Sequence, residues 1–102
     1  MDKPLVMLER LEEIILDVRD KTVPRARLFK EAQGILDSVE QFARKEGLAG
    51  TATTKIGELR SSVNAAFGST DNNGHSEEQH RVWALGYIEA LLGPDGFGRP
   101  KG

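Results

Sequence analysis

One stretch limits the architectures open to this chain more than any other. Val82–Leu92 reads V-W-A-L-G-Y-I-E-A-L-L and holds the only Trp, the only Tyr and a single charged residue, Glu89. Its length and the Gly93-Pro94 stop after it predict a helix rather than a strand. Around the axis, Trp83, Ala84, Tyr87, Ile88, Ala90, Leu91 and Leu92 cover more than half the circumference. A helix of that kind has to be covered on several sides. The other segments are therefore read as its covering, and this fourth helix as the most buried element. Glu78 and Glu89 mark a narrow polar strip. Val82 and Leu85 flank it and are the apolar residues expected to be partly exposed in a monomer.

The covering segments carry their own helical signatures. Segment one, from about Pro4 to Lys21, repeats Leu5, Leu8, Leu11, Ile15 and Val18, with Met7 and Ile14, at spacings of three and four. Asp2 can cap it. Its other face holds Glu9, Glu12, Glu13, Asp17 and Asp20. Pro24 then breaks the pattern, because it disfavours helical geometry at Val23 and suits a first turn. Segment two, from about Pro24 to Glu46, has one broad stripe of Leu28, Phe29, Ala32, Ile35, Leu36, Val39, Phe42 and Ala43. Gly47-Leu48 looks like a Schellman stop. The short break between the two segments predicts an antiparallel hairpin.

Segment three, from about Thr54 to Phe67, is capped by Thr53 or Thr54 in this reading. Ile56, Leu59, Val63, Ala66 and Phe67 make its apolar face. Gly57, Ser61 and Ala65 make a second line of small residues, suited to close approach by a neighbour. A polar loop with Asp71-Asn72-Asn73-Gly74 follows. Ser76-Glu77-Glu78-Gln79 is a capping box with two acids placed to meet the helix dipole. From Gly93 on, four Gly and two Pro in ten residues predict a flexible tail over residues 94–102 after a single domain over 1–93. The fold expected is all-α: a compact four-helix bundle.

Composition removes several functional classes. The chain has 102 residues, 38% hydrophobic, 29% charged, with net charge −2 and no Cys. That excludes disulfides, thiolate metal sites and Cys nucleophiles. It gives no global bias toward nucleic acid or anionic membrane. No apolar run approaches the roughly 20 residues of a membrane span. No secretory leader pattern opens the sequence, so the cytoplasm is the expected compartment. No catalytic serine context or phosphate-cradling Gly-rich loop is present, and no cofactor is implied.

Three clusters remain as leads. The turn between the first two helices carries Arg19, Lys21, Arg25, Arg27 and Lys30, a candidate phosphate or nucleic-acid contact. Arg25 and Arg27 stand in a first turn, where the helix dipole disfavours cations; against a ligand role stands neutralisation by Asp17 and Asp20. The acidic face Glu9, Glu12, Glu13 and Asp17 is a candidate contact for a basic partner, set against an ordinary solvated face. His75 and His80, with Asp71, Glu77 and Glu78, resemble fragments of calcium-loop and di-iron motifs, but a third His and key carboxylates are missing. Turn and capping chemistry accounts for every one of those residues.

The function expected from this balance is non-enzymatic: an adaptor, regulator or inhibitor, of the sort phages and mobile elements also encode. It would act through a helical surface on another protein, with Val82, Leu85, Glu89, Glu9, Glu13 and Asp17 as contact candidates. Self-association through helix four is a variant of that reading. Anion binding by the basic turn and a metal-dependent enzyme at His75 and His80 are the alternatives.

Overall fold

The computed structural model describes residues 3–18, 24–47, 50–68, 74–93 and 96–97, and among them every regular element is a helix. Helix α1 spans Lys3–Asp17, α2 Arg25–Lys45, α3 Thr51–Ala66 and α4 Glu77–Leu92. The core is Leu8, Leu11, Ile14 and Ile15 from α1 and Leu28, Ala32, Ile35, Leu36, Val39 and Ala43 from α2. From α3 come Ile56, Leu59 and Val63, and from α4 Ala84, Ile88 and Leu91. Each set recurs at three- and four-residue spacing, so each helix turns one stripe inward. Burying one such Leu or Ile contributes about 1.5–3 kcal/mol.

Cross-helix pairs fix the directions. On α1, Arg10 meets Glu31 of α2, whereas Lys3 and Met7 line a groove with Phe42 and Lys45. Numbers fall on one helix as they rise on the other, so α1 and α2 are antiparallel, as expected. On the next pair, Gln33 Nε2 donates to Asn64 Oδ1 at 2.7 Å, and Arg60 donates to Asp37 at 2.8 Å and to Glu40 at 3.3 Å. α2 and α3 are antiparallel too. α3 and α4 share the most extensive seam, and α1 packs on both α2 and α4. The bundle is a closed ring in which each helix has two principal neighbours.

Within that ring α4 packs most extensively, against α3 on one side and α1 on the other. α4 buries His80, Arg81, Ala84, Ile88 and Leu91. α3, of the same length, buries Ile56, Leu59, Ser62, Val63, Ala65 and Ala66. α3 is buried to a similar extent, and on α4 Glu78, Val82, Trp83, Gly86 and Glu89 are exposed.

The helix ends follow local chemistry. Ser76 Oγ accepts from the Gln79 backbone N–H at 3.0 Å, the expected N-cap. Gly47 has φ +71 and donates its N–H to Arg44 O, closing α2 in the left-handed conformation that glycine tolerates; Leu48 lies outside the described residues, as does Asp2. α3 begins earlier than expected. Gly50, with φ +63, is its N-cap and accepts from the Thr54 N–H, so neither Thr53 nor Thr54 caps it.

Two further expectations change. Gly57 and Ser61 are exposed, and a Cβ at Gly57 would meet nothing within 4 Å. The small residues that are buried on α3 and α4 are Ser62, Ala65, Ala66 and Ala84. The tail residues described are also not free of the core. The Phe97 N–H donates to Leu91 O at 2.8 Å, and its ring packs against the core. Gly96 is buried where a Cβ would overlap the Leu91 carbonyl. The rest of residues 94–102 lies outside the described set.

Candidate interaction face

Charge divides the ring into two layers. α1 and α4 together carry seven carboxylates (Glu9, Glu12, Glu13, Asp17, Glu77, Glu78, Glu89) against three cations (Lys3, Arg10, Arg81), a net −4. α2 and α3 carry seven cations (Arg25, Arg27, Lys30, Arg44, Lys45, Lys55, Arg60) against four carboxylates (Glu31, Asp37, Glu40, Glu58), a net +3. The small charge of the whole chain conceals this division.

Ion pairs occur on both layers, and so do unpaired charges: Arg27, Lys30, Lys45 and Lys55 form no ion pair among the described residues. Arg10 grips Glu31 with two parallel hydrogen bonds, Nε to Oε2 at 2.7 Å and Nη2 to Oε1 at 3.0 Å, and reaches Glu13 at 3.1 Å. These bonds hold the Glu31 carboxyl below the usual carboxylate range and push the guanidinium up. Arg60 satisfies Gln33, Asp37 and Glu40 across the α2–α3 seam, and Arg44 pairs with Glu40. On the acidic layer, Glu9, Glu12, Asp17 and Glu89 form no ion pair among the described residues. Glu9, Asp17 and Glu89 are exposed.

Among the described residues, the large exposed hydrophobic side chains lie on the same two helices. Val6 (61% exposed), Leu16 (51%), Val82 (49%) and Trp83 (37%) all lie on α1 or α4. The α1–α2, α2–α3 and α3–α4 hairpins each reverse direction, so α1 and α4 are antiparallel. Leu16 and the Val82–Trp83 pair therefore occupy the same end of the bundle, and Val6 the other.

The contact candidates on α4 are placed much as expected. Val82 is half exposed, Leu85 is half-buried against the core and Glu89 is in solvent. On α1, Glu9, Glu13 and Asp17 are exposed, with Glu13 engaged by Arg10. Trp83 departs from its expected place inside. The imidazoles of His75 and His80 meet its ring edge-on, with centroids 4.9 and 5.2 Å away. The two imidazoles are edge-on to each other at 6.0 Å. Among the described residues no three of His, Asp, Glu or Cys are placed to hold a metal; Asp71 lies outside them.

Val6 and Leu16 are the residues that reading the core stripe passes over. Their signal is apolar side chains set on the acid-bearing side of α1. Arg81 is a second omission. It lies on the line of Ala84, Ile88 and Leu91, is 7% exposed, and forks onto Glu78 at 2.7 and 2.8 Å.

The basic turn is only partly assembled. Arg19 and Lys21 lie outside the described residues, and Arg27 and Lys30 are exposed. Arg25 has structural work. Its Nη2 donates to Ala66 O at 3.1 Å and stands 3.6 Å from Glu77, with the guanidinium carbon 6.0 Å from the Phe67 ring centroid. A cation at the start of α2 opposes that helix's dipole. The same cation at the end of α3 is favoured and satisfies a terminal carbonyl. The antiparallel packing of α2 and α3 turns a local misfit into a tertiary clasp.

Among the described residues no helix is long and apolar enough to cross a membrane. Compared with protein-family models, curated proteins and solved structures, the chain matches none.

Proposed function

We propose that this protein is a binding module whose α1–α4 face receives a basic amphipathic helix of a partner protein. One observation carries the reading: the helices that hold the exposed Val6, Leu16, Val82 and Trp83 also hold Glu9, Glu12, Asp17 and Glu89, none of them in an ion pair among the described residues. Exposed apolar groups that share one end of a helix pair, as Leu16 and Val82–Trp83 do here, are candidates for a contact surface. Carboxylates around them select a partner of opposite charge and speed encounter more than they tighten the final complex. A helix with Leu or Ile anchors on one side and Lys or Arg beside them supplies both complements.

Self-association through this face is disfavoured, because two copies would bring a layer of net −4 against another of the same sign. Anion binding by the basic turn is weakened because Arg25 is already committed to Ala66 and Glu77.

Trp83 provides the assay. A synthetic Lys/Leu amphipathic helix should change its fluorescence saturably, and affinity should fall as ionic strength rises from about 0.01 to 0.15 M. A Glu/Leu helix of the same pattern should not bind. Equal binding of the two peptides, or none at low salt, refutes the proposal.

A further inference from the structure

A groove of about 250 Å³ lies on the α1–α2 seam, away from the α1–α4 face, and is lined by Lys3, Met7, Ser38, Gln41, Phe42 and Lys45. We propose that it is a binding site for a small aliphatic carboxylate. Met7 and Phe42 are both half-buried, and they give the groove an apolar floor. Lys3 and Lys45 are exposed at its margins, and neither forms an ion pair among the described residues. Ser38 and Gln41 add a hydroxyl and a carboxamide, each able to donate to a carboxylate oxygen.

Charge selects an anion here. Lys3 stands at the start of α1, and the described first turn of that helix contains no acid to oppose it. The end of α2 nearby would repel an anion, but its last turn carries Lys45, which lines the groove. Size selects a short ligand, because the volume lies below the roughly 300–1,000 Å³ of sites for drug-sized molecules. An amphiphile with one charged head and a short chain matches both the floor and the margins. This site is independent of the partner-binding reading, since α4 contributes nothing to it.

The test is a titration of the isotope-labelled chain by amide NMR with three probes: hexanoate, hexylammonium and acetate. Hexanoate should shift amides near Met7 and from Ser38 to Lys45 saturably. Hexylammonium, with the wrong charge, and acetate, with no chain, should bind at least tenfold more weakly. The double variant Lys3→Glu plus Lys45→Glu should reverse the preference to hexylammonium. Both positions are exposed, so the variant should fold, as circular dichroism would verify. Absent or unsaturable shifts, equal binding of the three probes, or hexanoate binding unchanged in the double variant would overturn the site.

Discussion

Gly34, Gly57 and Gly86 stand inside α2, α3 and α4, all exposed, and a Cβ added at any of them meets no atom within 4 Å. None has a positive φ, so alanine enters each backbone without strain. Glycine inside a helix is less stable than alanine by about 0.5–1 kcal/mol, mainly because its unfolded chain is freer. Each Gly→Ala change should therefore stabilise the fold by that amount. The three sites lie on different helices and point into solvent, so their effects should add. The triple variant should gain about 1.5–3 kcal/mol, on the order of 10 °C in Tm for a chain of this size. Urea denaturation followed by far-ultraviolet circular dichroism measures this, with the midpoint rising and the slope m unchanged. A midpoint that falls for Gly57→Ala would refute the reasoning. It would mean that another backbone approaches α3 at Gly57, as the small-residue line suggests from sequence, and that the helix is turned differently.

Other substitutions probe single contacts. Arg81→Met keeps the stem and removes the charge from a buried line; stability should stay within about 1 kcal/mol or rise, whereas Arg81→Ala should lose about 1–2 kcal/mol of packing. A large loss for Arg81→Met by the same denaturation would show that its ion pair with Glu78 is essential. Arg25→Ala should cost about 1 kcal/mol, since the bond to Ala66 O is charge-assisted but the side chain is 48% exposed; an unchanged midpoint would remove the clasp. Burial, with Glu58 nearby, pushes the Tyr87 hydroxyl up. A group whose pKa is higher folded than unfolded gives stability below its unfolded pKa, about 10, and loses it as pH rises through the folded value. Stability should thus decline above about pH 10 in the native protein, and Tyr87→Phe should flatten that decline in denaturant midpoints taken across the alkaline range.

How much of this was legible in the sequence varies with the physics involved. Helix existence was clear because stripes such as Leu8–Leu11–Ile15 and Leu28–Ala32–Leu36–Val39 fix the period and the buried side together. Local stop and start chemistry at Ser76, Gly47 and Gly93 placed most ends within a few residues. Gly50 escaped because its role depends on a positive φ, which no neighbouring residue announces. The angular count on α4 identified Val82 and Leu85 but hid Trp83, because composition records how apolar a helix is and not how many neighbours it has. The two-layer charge division needs the ring order of the helices, and that order comes only from the fold. Arg25 looked misplaced on α2 for the same reason: the carbonyl that explains it is 41 residues away.

The central claim, that α1 and α4 form an acidic, partly apolar docking face, is tested most directly by charge reversal on each layer in turn. Glu9→Lys with Glu89→Lys changes the proposed face, and both residues are exposed and unpaired among the described residues, so the fold should survive. Asp37→Lys with Glu46→Lys makes the same change in net charge on the α2–α3 side, and Arg60 keeps Glu40 when Asp37 is replaced. Calorimetric titration with the basic amphipathic helix should show at least tenfold weaker binding for the first variant and little change for the second, because only screened, distant charges differ there. Equal weakening of both would contradict the account, since it would mean that the peptide reads the charge of the whole molecule and not a face built by α1 and α4.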